Sequence, residues 1–195
     1  MHRYVMSVAV VVAAGCAEPV PQNPATTGNR VPTAELYKVA SDSAILTAVR
    51  ALMLADSNVA VVTVDSMGQP RVRTTKAFVA PVDSADPGKG VTVWIMTRLG
   101  TRKVDQIRRH SQVTLYFNDD KRVEYATIMG TATIHRDPNH PQAKAFYEDG
   151  YKEFFWPDFP RDFVMIEVKP LWLEYLGPGI SGHPDTWRPQ AVVFK

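Results

Sequence analysis

The run Thr97-Arg98-Leu99-Gly100-Thr101-Arg102-Lys103 joins a β-branched stretch to an amphipathic one, and its residue types suit an anion. A strand that delivers a glycine, a hydroxyl and cations to a helix start brings side-chain charge to a particular place. Unpaired backbone N–H groups and the helix dipole already point there. Phosphate is the natural guest of such a turn. The competing reading is a basic first turn facing solvent, although cations at that end oppose the dipole and their clustering carries a cost that an anion offsets. A second basic run, Arg71-Val72-Arg73-Thr74-Thr75-Lys76, lies inside another β-branched stretch. Strand alternation puts Arg71, Arg73 and Thr75 on one face and Val72, Thr74 and Lys76 on the other. This run reads either as part of an anion site or as an edge strand kept from aggregation by charge.

Other chemistries have less support. His135 and His140 flank Asp137, but Pro138 and Pro141 break any regular face and no His or Cys cluster joins them, so no metal site is expected. Phe154-Phe155-Trp156-Pro157-Asp158-Phe159 is either an aromatic lid or core packing beside a sheet, and Trp172, Tyr175 and Trp187 carry the same two readings. The sequence has no Gly-x-Ser-x-Gly elbow, P-loop or dinucleotide fingerprint. No residue is assigned a catalytic role.

The elements that must position the basic runs follow from periodicity. Ile45, Ala48, Val49, Leu52 and Met53 recur at helical spacing behind Ser41 or Ser43, which predicts an amphipathic helix ending at Asp56-Ser57-Asn58. Val59 to Val64 and Arg71 to Val82 read as two strands of a hairpin turned at Gly68. A third strand is expected over Val91 to Thr97, a helix from about Thr101 to His110, and strands over Gln112 to Phe117 and Arg122 to His135. Pro138 to Trp156 reads as helical. A last strand, Phe163 to Tyr175, contains Pro170 and so is expected to bend there or lie at an edge. Short strands with helices inserted between them imply a mainly β domain, a closed antiparallel, Greek-key-like sheet flanked by helices.

The 195 residues, 45% of them hydrophobic, suffice for one sizeable core. A formal charge of +2 from balanced acids and bases gives no bulk argument for nucleic acid, so any anion site must be local. His2 and Arg3, an apolar run Tyr4 to Ala14 and then Ala13-Ala14-Gly15-Cys16 read as a sorting signal over residues 1–16, too short for a transmembrane span. This signal resembles a bacterial lipobox, with Ala13 where a larger aliphatic residue is usual. The resemblance implies a lipid on Cys16, the chain's single cysteine, and an exported, membrane-anchored protein facing the periplasm. An ordinary export signal, or a buried first helix containing a free Cys16, is the alternative. Residues 17–32, with four prolines and no apolar periodicity, read as an extended tether, leaving 33–195 as the domain.

The two basic runs together resemble the FMN-binding pattern of pyridoxamine 5'-phosphate oxidases and their split-barrel relatives, a strand R-x-V-L-x-K followed by a T-N-x-G-S-R-K turn and a helix. Here Arg71 and Lys76 have the same separation, T-R-L-G-T-R-K follows, and Ser111 to Phe117 stands where the family has its next strand. The resemblance implies a split β-barrel, FMN as cofactor and a homodimer with each site between subunits. Arg71, Arg102 and Lys103 would grip the phosphate with Thr101 assisting. Val72, Arg73 and Thr74 would lie along the flavin, Met96 and Thr97 would flank it, and Lys76 would stand on the substrate side. Arg98 replaces Asn, Thr101 replaces Ser, and Tyr125 stands where the oxidases have a glutamine. Their C-terminal substrate-binding segment is absent, as in the general-stress branch. The implied function is an FMN-dependent oxidoreductase acting on an unidentified small substrate or electron donor. The alternative is a flavin- or haem-binding module without turnover.

Overall fold

The computed structural model describes residues 40–83, 85–146, 156–180 and 187–194. The sorting signal, the tether and Cys16 lie outside them. Helix α1, Asp42–Ala55, begins at Ser41, whose Oγ accepts from the Ala44 N–H at 3.3 Å. Its buried face is Ile45, Val49, Leu52 and Met53, the stripe expected from the sequence.

Eight strands form one sheet, and every pairing is antiparallel: β1 Asn58–Val64, β2 Pro70–Lys76, β3 Phe78–Val79, β4 Val93–Arg98, β5 Gln112–Asp119, β6 Glu124–His135, β7 Phe163–Leu176 and β8 Gln190–Val193. The hydrogen-bonded order is β2-β1-β5-β6-β7-β4-β3, with β8 beside β7. β2 and β3 lie at opposite margins of this path, yet only Ala77 separates them in the chain. The sheet therefore curls until its margins meet, as a split barrel.

This crossing corrects the expectation of one strand from Arg71 to Val82. The chain leaves its ladder with β1 at Lys76, the Ala77 N–H turns to the Ser57 carbonyl at 2.6 Å, and Phe78 and Val79 pair with Trp94 and Val93 instead. A β-branched run shows that residues are extended, but not that they keep one neighbour.

Alternation divides the buried residues between two cores. Val93, Ile95, Val164, Ile166 and Val168 point into the barrel, whereas Trp94, Phe163 and Met165 pack outside it with Ala80, Ala143 and Trp156. Burial on both faces explains why these strands read as continuous apolar runs. Pro170 lies inside the sheet and not at an edge. The register between β6 and β7 shifts at Met129/Gly130, so Gly130 faces Pro170 and Met129 faces Trp172. On its other side β7 changes neighbour from β4 to β8 at the same place. A residue without an N–H is tolerated at such a bulge.

Helix α2, Arg102–Arg109, buries Val104, Gln106 and Ile107. Helix α3 runs over Pro141–Phe146, and the rest of the helix expected to reach Trp156 lies outside the described residues up to that tryptophan.

Candidate functional site

The free margins of β2 and β4 face each other across the split in the barrel. Between them lies a cavity of about 390 Å³ lined by Thr74, Thr75, Lys76, Phe78, Met96, Thr97, Arg98, Thr101, Lys103 and Trp156, a volume in the range of small-molecule sites. A cleft at a strand margin meets both faces of the strand. Thr75 and Lys76 therefore line it together even though the β1–β2 register is regular to Lys76.

One end of the cleft is apolar and aromatic. The Trp156 indole N–H donates to the Thr97 carbonyl at 2.9 Å, fixing a buried ring against β4, and the Lys76 ammonium stands 5.3 Å from the centroid of the Phe78 ring. Of the aromatic run read as lid or core, Trp156 is buried in the outer core and lines the cleft, Phe159 packs against that core, and Phe154 and Phe155 lie outside the described residues.

The other end is cationic. The Thr101 side chain caps no first-turn N–H of α2. Its hydroxyl donates instead to the Arg98 carbonyl at 2.9 Å and lies 3.4 Å from the Thr97 hydroxyl. Arg102 and Lys103 occupy the first turn, and Arg73 reaches them from β2. Burial first, and then the charge of Arg102, lowers the pKa of Arg73 from the usual guanidinium value. Burial and then the charge of Arg73 do the same to the half-buried Lys103. Among the described residues no carboxylate pairs with Arg73, Arg102 or Lys103. An exposed Arg102 and two partly desolvated cations, with Arg73 repelled by both of the others, gather at an uncapped helix start and form a site that an anion would stabilise.

The sequence-predicted residues separate into three groups. Thr74, Lys76, Met96, Thr97, Thr101 and Lys103 line one cleft, with Arg73 and Arg102 beside its cationic end. Arg71 is engaged elsewhere: its Nε and Nη2 both meet Asp65 Oδ2 at 2.7 Å across the hairpin turn. The Gln69 N–H is the largest influence holding the Asp65 carboxyl below its usual pKa, and Arg71 adds to it. Val72 is 65% exposed on the outer face. Sequence reasoning missed Thr75, Phe78 and Arg98 as lining residues. Arg98 is anchored to Asp162 at 3.4 Å, a contact that no local pattern announces.

His135 meets Glu167 at 3.0 Å and packs against Trp94 and His140 on the outer core. Among the described residues no group of three or more His, Cys, Asp or Glu is placed to hold a metal. Tyr125 lies on β6 against Tyr116, and burial is the first cause raising its pKa.

The family model described as pyridoxamine 5'-phosphate oxidase matches residues 45–177, from α1 through the whole barrel path to the end of β7. The chain belongs to this family. Among solved structures, a Clostridium acetobutylicum protein related to general stress protein 26 of B. subtilis superposes with a TM-score of 0.57 at 20% identity, over 80% of this chain and 96% of that one. A pyridoxamine 5'-phosphate oxidase-related, FMN-binding protein from Nostoc punctiforme gives 0.53 at 17% identity, over 78% and 94%. A haem-binding protein from Mycobacterium smegmatis gives 0.56 at 12% identity, over 80% and 59%. A search of curated proteins returns no match. At these identities the structural likeness shows the split-barrel fold and leaves the ligand to be argued from the site.

Proposed function

We propose that this family member binds FMN in the cleft between β2 and β4 and serves as an oxidoreductase for a small electron donor or acceptor. One observation carries the reading. Three cations without a carboxylate partner gather at the uncapped start of α2, at the end of a cleft whose other walls are Phe78, Met96 and Trp156. A phosphate suits the first end and an aromatic ring system the second.

Bound there, FMN would supply the electron- or hydride-transfer chemistry. The chain's own part is to hold and shield it. Lys103, Arg102 and Arg73 would neutralise the phosphate, the Thr97 hydroxyl would donate to it while Thr101 Oγ1 is held by the Arg98 carbonyl, and Trp156 and Met96 would shield the ring from water. Lys76 stands at the far margin, where its charge meets whatever enters beside the ring. The outer sheet face, with Val72 65% and Tyr116 39% exposed, is where a second copy would complete the site in a homodimer.

The absorbance spectrum of protein purified from its native compartment tests the ligand: flavin bands are expected, and a Soret band would replace this reading with haem. Mixing the flavin form with a nicotinamide nucleotide or a quinol then separates an enzyme from a storage module. Rapid bleaching is expected for an enzyme, whereas a spectrum unchanged by every donor would leave binding alone.

The proposal includes export and a lipid on Cys16, supported by the Ala13-Ala14-Gly15-Cys16 signal. Cys16→Ser should move the protein from the membrane to the soluble fraction, and unchanged sedimentation with membranes would refute the anchor.

A further inference from the structure

Gln106 is a residue of α2 to which neither the basic motif nor the cleft lining gives a role, yet it is 7% exposed and its amide oxygen closes a triangle with Thr63 and Arg73. Its Oε1 accepts from the Thr63 hydroxyl at 2.5 Å and from Arg73 Nη2 at 2.8 Å, while Arg73 Nη1 donates to Thr63 Oγ1 at 2.5 Å. A guanidinium only donates, so the amide oxygen must face it. The Thr63 hydroxyl accepts from Arg73 and donates to Gln106, which leaves the triangle consistent throughout. Thr63 itself has no exposed surface.

The chemistry of this anchor is unusual in one respect. A partly buried guanidinium is ordinarily held by a carboxylate, the stronger partner, which also cancels its charge. Arg71, two residues earlier on the same face of β2, is exposed yet has a carboxylate partner in Asp65. Arg73 instead is gripped by an amide and a hydroxyl, both neutral. Its position is fixed while its charge stays uncompensated, and both Arg102 and Lys103 lie close enough to interact with it.

We infer that Thr63 and Gln106 are positioning residues that hold Arg73 beside the start of α2 without neutralising it, making Arg73, and not Arg71, the β2 cation that acts on a bound phosphate. This inference rests on the phosphate reading above. It also gives a reason for an amide at position 106: a glutamate there would tighten the triangle and weaken the anion site.

Titrations of FMN and of riboflavin into the full chain test it, because only the phosphate distinguishes these two probes at this end of the cleft. For Gln106→Glu the preference for FMN over riboflavin should fall by about tenfold or more, the scale of one charge-assisted contact, with riboflavin affinity unchanged. Thr63→Val should weaken the preference in the same direction, and thermal unfolding of both variants shows whether the barrel is intact. Arg71→Gln should keep the wild-type preference. If the wild type binds both probes equally, the phosphate reading fails and this inference fails with it. If the wild type prefers FMN and folded Gln106→Glu and Thr63→Val keep that preference, or if Arg71→Gln loses it, the positioning role alone is overturned.

Discussion

FMN affinity is expected to fall roughly 100- to 10,000-fold when Arg102 and Lys103 are both replaced by alanine. Each removes a cation from the first turn of α2, and a hydrogen bond to a charged group contributes about 1.5–3 kcal/mol, so two together span that range. The fold should not suffer. Lys103 is partly desolvated and repelled by Arg73, and Arg102 is exposed. Removing both relieves repulsion and takes no buried side chain from the core. Thermal unfolding of the flavin-free variant at or above the temperature of flavin-free wild type, together with loss of the flavin band after dialysis, is the expected pair of results. A double variant that keeps its full complement of FMN would refute the phosphate assignment. The single variants should each cost less than half of the double effect in free energy, because either remaining cation still has Arg73 and the helix start beside it.

The sequence allowed the site to be located more closely than it allowed individual roles to be assigned. Periodicity placed α1, α2 and most strands, since Ile45, Val49, Leu52 and Met53, or Val113, Leu115 and Phe117, repeat with the period of the element they occupy. The turn from Thr97 to Lys103 was readable as a cationic strand-to-helix junction because its chemistry is local. The distinction between Arg71 and Arg73 was not. Both lie on the same face of β2, opposite Thr63 and Val61 respectively. What separates them is a carboxylate six residues before Arg71 and an amide thirty-three residues after Arg73. Strand β8 was missed for a different reason. Its four residues are too few for a period, and its buried Gln190, which accepts from the Ala40 N–H at 3.1 Å, looks like a loop residue in sequence. The exchange of partners at Ala77 was equally hidden, because it depends on where the barrel closes.

Gly130→Ala is expected to destabilise the domain by about 2–4 kcal/mol, more than a typical single substitution. A Cβ built on Gly130 would collide with the Lys169 carbonyl oxygen and would come 3.1 Å from its carbon and 3.0 Å from Val168 Cγ1. Two of these neighbours are backbone atoms of β7, which is laddered to β6 on one side and changes from β4 to β8 on the other. A flexible side chain could swing aside, but this carbonyl cannot move without carrying the bulge at Pro170 with it. For a chain of this size the loss corresponds to a fall in Tm of roughly 5–15 °C. The cleft between β2 and β4 should register it as well, because β7 fixes β4 through the Met96–Met165 and Thr97–Val164 pairs. Displacement of β7 therefore reaches the residues beneath the proposed ring. Gly100→Ala is the matched control, since a Cβ there meets nothing within 4 Å and its φ is not in the left-handed region. Its stability should stay within about 0.5 kcal/mol of wild type. Equal Tm values for the two variants would mean that β7 yields easily at Pro170, and that the bulge does not hold the barrel's register as the close approach of Gly130 implies.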